Sequence, residues 1–264
     1  MPFTLTDLLL DKYYLDEFEG FLIYGPLGYG KSSYCIQATA EAYGIKNEVV
    51  DGYDKNGNPY YSDWEAAKQR IKFHPKEVMD WLLTREERDV TFIWDDAGLW
   101  LYALDWTHPF LKAFGRYLSV ARTDFGSIQF TTPSPTIVMK RIRDMPQVRT
   151  IKIIKRDVDN IKTRYKLRIA KIYQMWMTPD FKRSGVKQTH QDLFNAYLPD
   201  DLYEWYKPKR NYYAKMAKMM MSKEMASLLE DALGKGADKE IERAEREMAD
   251  ADDRAEELLE TMRN

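Results

Sequence analysis

At 264 residues, 44% hydrophobic and 14% aromatic, the chain can bury the core of one α/β domain and carry an appendage. One cysteine, Cys35, excludes an internal disulfide, and three scattered histidines leave no zinc-binding pattern. The formal net charge of −2 hides a division: bases dominate from Lys140 to Lys171 and acids from Asp238 to Glu260, which predicts separate surfaces for separate partners.

The opening stretch, MPFTLTDLLLDKYYLDEFEG, carries acids where a secretory signal needs bases. No apolar run reaches the length of a membrane span, so the expected location is cytoplasmic, with no membrane partner. Residues 20 to 44, GFLIYGPLGYGKSSYCIQATAEAYG, hold the most informative spacing in the chain. Phe21 to Tyr24 reads as a buried strand and Ser32 to Tyr43 as a helix packed on a sheet. Between and just beyond them, Gly25, Pro26, Leu27, Gly28, Tyr29, Gly30, Lys31, Ser32 and Ser33 satisfy G-x-x-x-x-G-K-[ST]. In such a loop, backbone N–H groups curl around phosphate oxygens at a helix N-terminus, the lysine meets their charge and the hydroxyl meets Mg²⁺. A ligand-free glycine turn is the alternative, disfavoured by the order strand, loop, helix. Cys35, on the helix behind the loop, is expected in the core.

The next segment, VVDGYDKNGNPYYSDW, resembles a calcium loop around Gly57, but Gly52 stands where the first ligand belongs. A hairpin turning at Asn56-Gly57 is the expectation, followed by helices over 64–70 and 75–84. DVTFIWDDAG, residues 89 to 98, then supplies a strand, Val90 to Trp94, ending in two carboxylates. Asp95 is assigned to the Mg²⁺ shell and Asp96 to orienting or deprotonating the attacking water; a plain acidic turn is the alternative. A helical segment over 109–123 precedes a third strand, FGSIQFTTPSP, whose end switches to hydroxyls and then to prolines. Thr132 is the candidate for bonding the water or the γ-phosphate, unless it satisfies only local backbone. Arg141 and Arg143, on a short helix over 136–143, are candidate arginine fingers toward a neighbouring subunit, with Arg116 and Arg122 as rivals. No N-K-x-D guanine signature stands in a suitable place, so ATP with Mg²⁺ is the expected cofactor pair.

The succession GPLGYGKSS, FIWDDAG, IQFTTPSP and KRIRD resembles P-loop ATPases of the AAA+ and related additional-strand class over roughly residues 20 to 155. The doubled acid followed by a small residue and glycine is similar to that of DnaC-like helicase loaders and of small ATPases of archaeal viruses and plasmids. The resemblance implies a P-loop NTPase with a mainly parallel sheet flanked by helices, ATP hydrolysis, homo-oligomers, and action on DNA or a DNA-bound partner in replication. Two departures stand out. Asp96 is one methylene shorter than that family's usual glutamate, and where a helical lid would follow, the chain offers strands. The second departure points to FtsK-, HerA- and Zot-like DNA pumps as the alternative.

Residues 148 to 177 read as a basic β-hairpin, with Lys152, Arg164, Lys166, Arg168 and Lys171 gathered on one face to meet DNA phosphates; solvated strand lysines are the bland reading. These strands complete an expected ATPase domain over 1–178. Residues 179–233 are expected to be an aromatic and basic helical region. An acidic helix over 237–264 follows, with Ile241, Ala244, Met248, Ala251, Ala255, Leu258 and Met262 as a short coiled-coil seam for a protein partner or a second subunit; a largely solvated helix is the alternative. A nucleotide-gated adaptor with little hydrolysis is the third functional reading.

Overall fold

The computed structural model describes residues 2–105, 107–157, 159–160, 165–180, 182 and 184–233. It divides into two units, Met1–Leu202 and Tyr203–Asn264. The first is a mixed α/β unit built on a seven-stranded, mainly parallel sheet.

In chain order, helix α1 (Thr4–Tyr14) leads into β1 (Glu19–Tyr24) and α2 (Lys31–Asn47). The small hairpin β2 (Val50–Tyr53) and β3 (Pro59–Tyr61) then precedes α3 (Trp64–Gln69), β4 (Ile71–Lys72), α4 (Pro75–Leu83) and β5 (Asp89–Trp94). After α5 (Pro109–Tyr117) come β6 (Phe125–Thr132), α6 (Lys140–Arg143), β7 (Val148–Lys155), β8 (Leu167–Met177), β9 (Ser184–Asn195) and α7 (Asp200–Leu233). The sheet order is β4-β5-β6-β1-β7-β8-β9. The pairs from β4 to β7 are parallel, and β8 and β9 extend the sheet antiparallel. Strand β6 thus lies between the strand that enters the glycine loop and the strand that ends in the two carboxylates.

Register divides the side chains of the buried strands between two faces. On one, Leu22, Phe92, Trp94, Ile128 and Phe130 join Leu111 and Phe114 of α5 in an aromatic-rich cluster. On the other, polar groups form a layer beneath α2: the Gln129 amide donates to Thr39 at 2.8 Å and to Thr91 at 3.2 Å. Tyr43 donates to the carboxylate of Asp89, which also pairs with Arg70 and Arg85. Burial and the Asp89 charge push the Tyr43 phenol far above its ordinary value, so it stays a donor. Cys35 is buried in the core as expected, and its thiol is raised by burial.

The N-terminal helix is tied to the far edge of the sheet. Asp192 of β9 accepts from the backbone N–H groups of Thr4 and Leu5, serving the orphan donors of α1, and also from the Tyr34 hydroxyl of α2. The β2–β3 hairpin has the expected turn, with Asp54 accepting from the N–H groups of Asn56 and Asn58 and Gly57 at φ +81°.

Two expectations are corrected. Residues 184–195, read as part of a helical region, form β9, which pairs with β8 along its length. Its sequence, SGVKQTHQDLFN, is polar because only Asp192 and Phe194 turn their side chains into the interior, so no apolar alternation advertises the strand. The first unit therefore runs past position 178 to Leu202. The expected acidic helix and its seam lie outside the described residues. In the second unit, α7 places the Lys209 ammonium 4.3 Å from the Trp205 ring centroid and Tyr212 edge-on to Tyr213.

Candidate nucleotide site

The glycine loop joins the C-terminal end of β1 to the N-terminus of α2, beside the ends of β5 and β6, where open α/β sheets take ligands. Two of its glycines are required by their neighbours. Gly25 has φ +153°, and a Cβ there would lie 2.6 Å from the Ile153 carbonyl oxygen of β7. Gly30 has φ +88°, and a Cβ there would lie 2.6 Å from that of Ala196, just beyond β9. The loop is therefore pressed between β7 and the segment after β9. No side chain caps α2, which leaves its first-turn N–H groups directed at the loop's concavity.

Lys31 is only 6% exposed, and its ammonium donates to the Gly25 and Pro26 carbonyls at 3.0 and 3.2 Å. A buried cation held by neutral carbonyls suits an incoming anion. The Ser32 hydroxyl donates to Asp95 Oδ1 at 2.7 Å, bridging the loop to the end of β5. Asp95 is fully buried, and its backbone N–H is anchored on the Lys72 carbonyl of β4 at 2.8 Å. Among the other loop residues, Pro26, Leu27 and Gly28 are exposed, whereas Tyr29 and Ser33 are half-buried. A hydroxyl and one carboxylate at this spacing fit Mg²⁺, which keeps several waters and takes one or two protein ligands besides phosphate oxygens.

Thr131, not Thr132, joins the acidic pair: its hydroxyl donates to Asp95 Oδ1 at 2.6 Å and accepts from the Asp96 N–H at 2.8 Å. Thr132 turns to the opposite face, donates to the Ser134 carbonyl at 3.0 Å, and stands where a Cβ on Gly98 would lie 2.5 Å from its oxygen. Its hydroxyl serves local backbone. Asp96 adopts a left-handed conformation, φ 50° and ψ 34°, at the end of β5. That turn, which Asp tolerates better than most residues, sends its N–H toward Thr131.

The basic residues are dispersed. Lys152 and Lys171 face each other across β7 and β8 on one side of the sheet. Arg168 has the opposite parity, is 1% exposed, and makes a bidentate pair with Asp159 at 2.7 and 3.0 Å. Its guanidinium carbon lies 5.7 Å from the ring centroid of Tyr29 in the glycine loop. Arg168 is thus corrected from a DNA-facing base to a buried one beside the loop. Lys166 precedes β8 and holds its ammonium 4.7 Å from the Tyr197 ring centroid. Arg164 lies outside the described residues. Arg141 is exposed, with its stem 3.6 Å from the position of a Cβ on Gly115, and Arg143 donates to Asp144 at 2.9 Å.

No family model matches the chain. It is 26% identical over 139 residues to "Uncharacterized protein B-251" of Sulfolobus spindle-shape virus 1, a match covering 52% of this chain and 51% of that protein. The chain thus spans about half the length of the curated relative it matches. Among solved structures, the N-terminal domain of zonular occludens toxin from Neisseria meningitidis superposes with a TM-score of 0.36 and 15% identity, over 71% of this chain and 97% of that one. The mainly parallel sheet, the glycine loop and the helix behind it are compatible with a P-loop NTPase fold. No described helix is long and apolar enough to cross a membrane.

Proposed function

We propose that the chain binds ATP·Mg²⁺ at Gly25–Ser33 and hydrolyses it, using the free energy to alter its grip on DNA or on a DNA-bound protein. The observation that carries this reading is the bonded constellation of Ser32, Asp95 and Thr131 opposite the uncapped N-terminus of α2. On binding, the phosphates take the loop N–H groups and draw the Lys31 ammonium from the Gly25 and Pro26 carbonyls. Ser32 and Asp95 would hold the metal, which would supply charge neutralisation to the phosphates. Thr131 keeps the Asp95 carboxylate oriented, and Asp96 aligns the attacking water. Position of β6 between β1 and β5 supports the additional-strand class within P-loop proteins.

A helicase loader or initiator of a viral or plasmid replicon is the first biological reading, acting as a homo-oligomer in which Arg141 or Arg143 reaches the next subunit's nucleotide. A DNA pump is the second, favoured by one feature: β8 and β9 extend the sheet where a helical lid would stand in an AAA+ protein. Steady-state ATP hydrolysis with and without single- and double-stranded DNA separates them. Strong DNA stimulation supports the pump, and slow turnover indifferent to DNA supports the loader. Asp96→Asn should bind ATP without hydrolysing it; unchanged turnover would remove Asp96 from the mechanism. Lys152→Glu with Lys171→Glu should weaken DNA binding and flatten its salt dependence, and equal binding by the variant would place DNA elsewhere.

A further inference from the structure

A second concavity lies on the first unit, formed by the middle of α2, the β2–β3 hairpin, the start of α3 and residues 195–200. It is an open cleft of about 680 Å³, within the range of sites that hold peptides and small molecules. Its walls are aromatic, including Tyr60, Trp64 and Tyr197, and three carboxylates reach it from different elements: Glu41, Asp51 and Asp200. No described lining residue is Lys, Arg or His, and the Lys166 ammonium reaches only the Tyr197 ring beside them. The chain as a whole is near charge balance, so this local excess of acid is a property of the cleft.

The walls are held in place. Asp51 accepts from the Trp64 indole N–H at 3.2 Å, which fixes that ring at the rim. Gln37 donates to the Asn195 and Tyr197 carbonyls at 2.8 and 3.1 Å, tying the floor to α2. Glu41 accepts from the Phe3 N–H at 2.9 Å and from the Thr6 hydroxyl at 2.6 Å through one carboxylate oxygen, Oε2. Burial raises its carboxyl above the ordinary range, and a cation nearby would oppose that shift. Tyr60 is 50% exposed. One ring of the cleft already meets a cation, since the Lys166 ammonium sits over Tyr197.

We propose that this cleft docks an extended segment of a partner protein bearing arginine or lysine. Charge complementarity selects the occupant: three carboxylates repel a nucleic-acid backbone and attract a base, while aromatic walls take the face of a guanidinium and the apolar stem beneath it. The volume exceeds what one cationic head fills, and Leu198 and Pro199 add apolar surface for neighbouring side chains of the segment.

The test is isothermal titration calorimetry of the full chain with the blocked peptide Ala-Arg-Leu-Arg-Ala and its acidic counterpart Ala-Glu-Leu-Glu-Ala. The proposal predicts saturable binding of the basic peptide alone, tighter than about 1 mM. That affinity should fall at least tenfold in Asp51→Asn with Tyr60→Ala, both exposed positions. Absence of saturable heat, equal binding of the two peptides, or equal binding by the variant would overturn it. Displacement of the peptide by an equal concentration of spermidine would also overturn it, assigning the cleft to a small polyamine. Discrimination between the peptides by the wild-type chain needs no variant, so a folding defect cannot decide the outcome.

Discussion

Gly30→Ala, alone and with Ala196→Gly, tests whether the glycine loop is pressed on the segment after β9. An alanine at φ +88° costs about 1–2 kcal/mol from the left-handed backbone alone. Its Cβ would meet that of Ala196 at 2.6 Å, well inside van der Waals contact, and relieving that crowding adds about 1–3 kcal/mol. Ala196→Gly removes the opposing methyl while costing about 0.5–1 kcal/mol itself through chain entropy. The double variant should therefore be more stable than the sum of its parts by about 1–3 kcal/mol, with the backbone strain remaining. Urea unfolding of the four proteins, followed by far-UV circular dichroism, gives the coupling directly. Strict additivity would refute the contact and with it the placement of β9 against the loop.

Thr131→Val removes a donor to the buried Asp95 carboxylate and the acceptor for the Asp96 N–H, and should destabilise by about 2–4 kcal/mol. Thr132→Val removes one bond to nearby backbone and should cost about 1 kcal/mol; the reverse order in urea unfolding would contradict the bonding of Thr131 to the acidic pair. Glu41 supplies a pH dependence. Its carboxyl is raised above 4.5 by burial, so between 4.5 and its folded value the native state binds more protons than the unfolded chain. Stability from this group is therefore present below that window and lost as pH rises through it. Glu41→Gln should remove the loss, and parallel stability profiles of wild type and variant across the window would contradict the assignment.

The glycine loop was legible because its demands are local: a left-handed turn and close backbone approach admit few residues other than glycine, and the strand and helix around it carry ordinary patterns. Asp95 was legible for a related reason, standing at the end of an apolar strand. Parity in β6 was legible but easily missed. FGSIQFTT is buried on both faces, yet polar Ser127, Gln129 and Thr131 alternate with apolar Ile128 and Phe130, and carrying that period of two to the strand end sets Thr131 toward α2 and Thr132 away, a distinction that two adjacent threonines mask. A shift of one residue in β8 likewise moves Arg168 from a basic surface into the interior. The polar β9 was hidden because its pairing partner β8, not its own composition, makes it a strand. Asn56 and Gly57, by contrast, marked the β2–β3 hairpin through turn chemistry alone.

Equilibrium binding of a fluorescent ATP analogue with Mg²⁺ to wild type and Lys31→Ala tests whether Gly25–Ser33 is an ATP site. Loss of a buried, charge-assisted contact should weaken binding by about 10- to 100-fold while the variant remains folded. Equal affinity in the two proteins, or no binding by the wild-type chain, would contradict the account.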